Sequence, residues 1–195
     1  MNYKLVDNRI EFTDEKLTEN STNMISVIST YKFTKYMEQM PDGISILRSN
    51  ETRYTKLDVK NKYLQGVIYM PSKKDIFNHT RFGYLIFNRN ILFIDSSDTV
   101  INIIEQLRHS SIDMPTIWKF YYHFLNMLID RDLLYLQDIE NSLSTFENNL
   151  LDGGIDEYNQ RDIIYIRKKL FNQYRFYTQL FEIEHKLNEV DHITL

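Results

Sequence analysis

The chain has 195 residues, with 23 basic and 27 acidic side chains, five histidines, no cysteine and no alanine. At 43% hydrophobic and 26% charged it can bury the core of one domain, alone or with an extension, and the missing cysteine excludes a disulfide scaffold, a thiolate zinc site and a thiol nucleophile. A net charge of −4 argues against general nucleic-acid binding, and the longest uncharged runs (20–31, 63–72 and 120–129) fall short of the roughly 18 apolar residues of a membrane helix.

Residues 1–114 are nearly neutral and read as short elements broken by turns. Residues 3–12 have β-forming character, with Val6, Ile10 and Phe12 among polar residues. Residues 24–29 alternate as a strand does. Phe33, Tyr36, Met37 and Met40 then recur at helical spacing over 31–40. Pro41-Asp42-Gly43 signals a stop and turn. Two strands are predicted over 52–59 and 63–70, joined at Lys60-Asn61-Lys62. Residues 82–87 and 91–94 flank Asn88-Arg89-Asn90, a hairpin signal. A helix follows over 97–108, with Ser97 as its expected cap and Val100, Ile103, Ile104 and Leu107 on one face. The expected fold class is α/β (α+β), a mixed β-sheet layer packed with helices and followed by two long antiparallel helices.

Residues 115–195 carry 8 basic and 13 acidic side chains and read as that helical hairpin. Pro115 suits a first helical turn. Trp118, Tyr122, Leu125, Ile129, Asp132, Leu136, Ile139, Leu143, Phe146 and Leu150 then follow in alternating steps of four and three, a heptad seam that predicts one continuous helix. Trp118, Tyr122, Leu125, Ile129 and Leu136 are its candidate interaction residues. Gly153-Gly154 ends the first helix. A second is predicted over 155–189, with Ile163, Ile166, Leu170, Tyr174, Tyr177, Leu180 and Leu187 at three- and four-residue spacing. The division is thus a sheet subdomain, 1–114, continuous with a helical hairpin, 115–195. So long a hairpin must project or pack on another subunit.

Catalytic motifs are missing from the sequence: there is no His-Glu-x-x-His, Gly-x-Ser-x-Gly or phosphate-binding Gly-Lys-Ser/Thr loop, and no two histidines stand four apart. The chain is therefore not expected to be an enzyme. His123, inside an aromatic run, reads as packed or half-buried. Asp132 interrupts the apolar seam. The preferred reading turns Leu133 inward and leaves Asp132 in solvent, and the sharper one keeps Asp132 as a candidate cation ligand. The hairpin tip carries Glu147, Asp152, Asp156, Glu157 and Asp162 against Arg161 alone, and its summed field attracts cations. A hard divalent ion needs several oxygens around it, and the tip lacks the spacing of a dedicated calcium loop. Arg167-Lys168-Lys169 reads as a solvated face answering the acids of the first helix.

The run from Tyr121 to Asp132 (Tyr-Tyr-His-Phe-Leu-Asn-Met-Leu-Ile-Asp-Arg-Asp) resembles the start of the long helix in CorA-type magnesium transporters, "Tyr-Leu-Leu…Leu-Ile-Asp…Val-Asp-x-Tyr". Ile139, Glu140, Leu143 and Glu147 are similar to its "Glu-x-x-Ile-Asp-x-Leu-Glu" continuation. Ile164-Tyr165-Ile166-Arg167-Lys168-Lys169-Leu170 resembles "Leu-x-x-Leu-Arg-Arg-x-Leu", and Gln179-Leu180-Phe181-Glu182-Ile183 sits where that family has Pro-Leu-Arg-Glu-Val. Residues 63–70 and 86–94 look like strands of its cytoplasmic sheet. The resemblance covers about residues 44–190.

It implies a cytoplasmic regulatory and assembly domain of a divalent-cation transporter for Mg2+, with Co2+ or Zn2+ as alternatives, and no organic cofactor. In that family a stalk helix leads into two membrane spans with a Gly-Met-Asn signature, the assembly is a homopentamer, and cations bound between cytoplasmic domains hold the pore closed. The chain stops at Leu195, before those parts, so the resemblance reads it as a soluble piece or a shortened relative that sits at the cytoplasmic face of the plasma membrane. The family's acidic sensing residue has no counterpart: Ser45 and Ile46 occupy that area, with Asp42 nearby. Candidate metal residues are therefore Asp42, Asp132, Asp152, Asp156 and Glu157. The competing reading is a free-standing helical-hairpin interaction module that dimerises through the Trp118–Leu150 seam.

Overall fold

The computed structural model describes residues 1–18, 20–37, 53–60, 63–151 and 157–190. Seven strands form one mixed sheet: β1 Asn2–Val6, β2 Arg9–Phe12, β3 Met24–Ile28, β4 Lys56–Val59, β5 Leu64–Pro71, β6 His79–Phe87 and β7 Asn90–Ile94. Their spatial order is β2-β1-β3-β7-β6-β5-β4, and β3–β7 is the parallel pair. The helices are α1 Thr30–Met37, α2 Thr99–Arg108, α3 Ile117–Ile129, α4 Asp132–Leu151 and α5 Glu157–Val190. The expected α/β class with a mixed sheet and long helices is what the structure shows.

The period-two alternation of the strands divides the core between the two sheet faces. Tyr3, Leu5, Ile25, Val27, Leu64, Ile68, Phe82, Tyr84, Ile91 and Phe93 point to one face, where α2, α3 and α5 cover them. Met24, Val67, Leu85, Leu92 and Ile94 point to the other, with Leu17 and with Phe33 of α1. The first core runs unbroken from Tyr3 through Met114 and Phe124 to Ile183.

Two turns show how short polar residues shape the sheet. Residues 3–12, read as one β segment, are a hairpin, because Asp7 and Asn8 take positive φ values of 47° and 66°. That is the mirror-image turn whose twist matches paired strands. Asn88 and Arg89 do the same between β6 and β7. Asn90, fully buried, then accepts from the Met24 amide at 2.9 Å and donates to the Ser21 carbonyl at 2.7 Å.

The cap of α2 differs from expectation. Asp98, not Ser97, holds the cap position, with φ of 59°, and makes no side-chain cap bond. Asp95 supplies the acceptor instead: its carboxylate takes the Val100 amide at 2.8 Å and the Ser97 amide at 2.7 Å. A carboxylate reaches further than a serine hydroxyl and complements the positive helix end.

The long first helix is also interrupted: α3 ends at Ile129 and α4 begins at Asp132. The heptad phase is displaced in α3. Its buried face is Ile117, Phe120, Tyr121, Phe124 and Leu128, while Trp118, Tyr122 and Ile129 of the expected seam are exposed and Leu125 is half-buried. From Asp132 onward the expected phase holds, with Ile139 and Phe146 buried and Leu136 and Leu143 half-buried. In α5, Gln173, Phe176 and Ile183 are buried, whereas Ile163, Leu170 and Tyr174 are exposed. Aromatic and apolar residues occupy several faces of these helices, so spacing alone does not pick the inward one.

Gly66 pairs with Tyr84 across β5–β6. A Cβ there would collide with the Tyr84 ring and stand 2.6 Å from the Lys56 carbonyl oxygen. Gly66→Ala is expected to destabilise the fold by about 3 kcal/mol, read by denaturant unfolding, since overpacking a full core forces strained rotamers. An unchanged midpoint would contradict this close approach.

Candidate functional site

The sequence singles out Asp132, and the structure makes it the centre of a buried polar cluster. Asp132 is only 5% exposed, whereas Leu133 beside it is 83% exposed. The preferred sequence reading is thus reversed: the carboxylate faces inward and the leucine faces solvent. Burying a carboxylate is costly unless it gains hydrogen bonds and a partner of opposite charge. Asp132 has both. Tyr177 of α5 donates its hydroxyl to Oδ2 at 2.7 Å, and Lys73, from the loop between β5 and β6, forms an ion pair with Oδ1.

Lys73 also lies 6.0 Å from the centroid of the Tyr135 ring, one turn along α4, and Lys169 of α5 lies 5.8 Å from the same ring. These contacts set α4 and α5 antiparallel, because Asp132 meets Tyr177 while Tyr135 meets the earlier Lys169. The loop is tied to α5 by further bonds. Tyr165 donates to the Lys74 carbonyl at 3.3 Å and Asn172 to the Ile76 carbonyl at 3.4 Å. Within the loop, Asp75 accepts the Phe77 amide at 3.0 Å and the Asn78 side-chain amide at 2.7 Å, which fixes the turn that presents Lys73.

The break between α3 and α4 falls at Asp130-Arg131, where no proline or glycine accounts for it. We attribute it to the cluster: the first residue of α4 is the buried carboxylate, drawn to Lys73 and Tyr177, and an acid in a helix's first turn also meets the positive end of its dipole. Burial pushes the Tyr177 phenol well above its ordinary range, and the Asp132 carboxylate adds to the shift. Burial raises Tyr135 too, with smaller contributions from Tyr165 and Asp132.

The other candidate residues are distributed differently. Asp42, Asp152 and Asp156 lie outside the described residues, as does Gly153-Gly154. Glu157 is the first residue of α5, and its side chain is outside the described set. Among the described residues no group of three or more His, Asp or Glu is placed to hold a metal ion. Asp132 has a lysine and a phenol as its neighbours here, not further carboxylates. Lys169, expected to be solvated, is half-buried among Tyr135 and Tyr165, while Arg167 and Lys168 are exposed. His123 is half-buried, as its aromatic run suggested, and burial lowers its pKa.

Lys73 was not singled out from the sequence, and Tyr177 was read only as one of the spaced apolar positions of the second helix, not as a partner of Asp132. One signal was present: an acid on an apolar seam demands a buried cation, and Lys73-Lys74 stand on a short interstrand loop.

The fold of this chain, mixed sheet and helices together, is similar to those of solved CorA, ZntB and CmaX structures. The CorA magnesium transporter from Methanocaldococcus jannaschii superposes with a TM-score of 0.69 at 19% identity, over 100% of this chain and 63% of that one. The ZntB cytoplasmic domain from Vibrio parahaemolyticus gives a TM-score of 0.69 at 15% identity, over 97% of this chain and 79% of that one. Full-length CmaX gives 0.68 at 15% identity, over 95% and 62%. No protein-family model and no curated protein sequence matches the chain. The chain therefore has the CorA-like soluble-domain fold, and it spans 62% and 63% of the CmaX and CorA chains. Among the described residues no helix is long and apolar enough to cross a membrane.

Three outcomes follow from the cluster. Asp132→Ala is expected to cost about 2 kcal/mol of folding stability, and a double-mutant cycle of Asp132→Asn with Lys73→Met should give a coupling of about 1 kcal/mol. Additive effects in chemical denaturation would contradict the pairing. The folded state also favours the neutral Tyr177 phenol, whose pKa is raised, so its contribution is intact below the unfolded tyrosine value of about 10 and is lost as pH rises beyond it. Thermal unfolding between pH 8 and 11, as an assay range of about three units, should show a shallower alkaline fall for Tyr177→Phe than for the parent chain.

Proposed function

We propose that this chain is a non-catalytic regulatory and assembly domain of a CorA-like divalent-cation transporter. The observation that carries the reading is the whole-chain likeness to soluble domains of this class, sheet and helical hairpin together. The cargo is Mg2+, with Co2+ or Zn2+ as alternatives, and the full assembly is a homopentamer at the cytoplasmic face of the membrane, joined to it by helices beyond this chain. Cations sit between subunits and screen carboxylates on facing surfaces. Their loss lets like charges repel, the domains separate, and the pore responds. A ligand that favours one arrangement shifts the population by its difference in affinity for the two states.

The acidic tip, with Glu147 on α4 and Asp162 on α5, supports this reading through its field. The exposed seam residues Trp118, Tyr122 and Ile129 support it too, because apolar side chains left uncovered within one chain suit contact with another. The same exposure favours the second reading, a helical interaction module without an ion role.

Calorimetric titration of the protein with Mg2+, Co2+ and Zn2+, paired with light scattering, separates the two. Saturable binding of at least one cation, with a change in association state on chelation, is expected. Association that ignores all three cations, and is lost in Tyr122→Glu, would favour the interaction module.

A further inference from the structure

We propose that the groove between edge strand β4 and α5 binds a mononucleotide, its phosphate held by Arg53 and Arg175 and its base stacked against Tyr54 and Tyr174. This inference stands apart from the transporter reading and does not depend on it.

The groove is built by two segments running side by side. The stretch leading into β4 follows α5 in the same direction: the Arg175 guanidinium donates to the Arg53 carbonyl at 3.4 Å, the Thr55 amide to Gln179 Oε1 at 2.8 Å, and the Lys186 ammonium to the Leu57 carbonyl at 3.2 Å. Between them lies a cavity of about 440 Å³ lined by Tyr54, Thr55, Phe171, Tyr174 and Arg175 among others. A second cavity of about 180 Å³ meets it at Arg175 and Gln179 and adds Arg53, His79 and Asn172. The larger volume is in the range of small-molecule sites.

The chemistry of the two parts differs. The residues lining the smaller cavity include several that bear donors: Arg53, Arg175, His79, Asn172, whose amide also donates to the Ile76 carbonyl, and Gln179, whose oxygen is already used by Thr55. Among the described residues, Arg53, Arg175 and Lys186 have no carboxylate within ion-pair distance, although the chain as a whole has more acids than bases. Lys56 is paired with Asp58 at 3.1 Å, and the carboxylate lining the larger cavity is Glu182, nearly two helical turns beyond Arg175. Among the described residues no carboxylate answers the charge at the Arg53–Arg175 end, and a planar guanidinium matches phosphate oxygens in a bidentate way.

The larger cavity supplies rings: Tyr174 is 70% exposed, Phe171 is 63% exposed, and Tyr54 faces them from the strand side. Exposed aromatic faces beside arginines are a sequence-tolerant seat for a nucleobase. An occupant that satisfies both parts carries a planar ring and an anion at one end. A free phosphate would leave the rings uncovered, and an uncharged nucleoside would leave the guanidinium groups unanswered.

The test is calorimetry on the 195-residue chain with adenosine monophosphate, adenosine and inorganic phosphate as separate probes. The nucleotide is expected to bind at least about tenfold more tightly than either fragment, and Arg175→Ala to weaken it by about tenfold or more. Tyr174→Ala should weaken the nucleotide and leave inorganic phosphate unchanged. Arg175 and Tyr174 are exposed, so circular dichroism melting should confirm that both variants fold. No binding of the nucleotide at millimolar concentration would overturn the proposal, as would binding that Arg175→Ala leaves unchanged. Concentration-dependent dimerisation abolished by Tyr174→Arg, without nucleotide binding, would assign the groove to a second copy instead.

Discussion

The structure hinges on how one helix face seats on one sheet face. Phe124 of α3 lies 4.7 Å from Phe93 and 5.8 Å from Phe82, centroid to centroid, and Tyr121 lies 5.2 Å from Tyr84. All these rings are fully buried or nearly so. Such pairs add about 0.5–1.5 kcal/mol each beyond their buried area, and their tilted and edge-on geometry fixes rotation as well as distance. α3 is consequently locked to β6 and β7, and whatever follows it leaves the sheet in a set direction. Gly66 belongs to the same constraint, because the Tyr84 ring occupies the space its side chain would need.

The Asp132 cluster carries that direction into the hairpin. An aromatic seat defines where α3 ends. It does not define where α4 points, since a helix can bend at the first unpacked turn. The carboxylate supplies the missing restraint by taking Lys73 from the sheet loop and Tyr177 from α5, three segments meeting at one residue. A buried ion pair is a modest contributor to stability but a demanding one geometrically, because any displacement leaves a charge without its partner. In a domain proposed to relay a cation signal, a joint of this kind lets the sheet and the hairpin move as one body.

Much of the fold was legible in the sequence, and the failures have physical causes. The strands at 24–28 and 64–71, the β6–β7 hairpin and α2 follow directly from alternation, turn residues and helical periodicity. The inward phase of α3 was not legible, because nearly every residue from Ile117 to Ile129 is apolar or aromatic and the period has no contrast to read. The hairpin at Asp7-Asn8 was hidden because two residues in the left-handed region look, in sequence, like a polar interruption of one strand. Asp132 was noticed, but its partners were not. Lys73 lies 59 positions away in sequence and Tyr177 lies 45, and only the fold brings them together. The candidate site was thus only partly legible: Asp132 stood out on the apolar seam, but neither its inward orientation nor its cation could be read.

The aromatic seat and the Asp132 joint together hold the hairpin in one orientation on the sheet. Because the chain has no cysteine, two labels can be introduced without background. Spin labels at Lys32→Cys on α1 and Ser144→Cys on α4, both exposed positions, report the distance from sheet to hairpin by pulsed electron resonance. A single narrow distance that broadens in Asp132→Asn is the result the account requires. A broad distribution in the parent chain, or a narrow one that Asp132→Asn leaves unchanged, would contradict it.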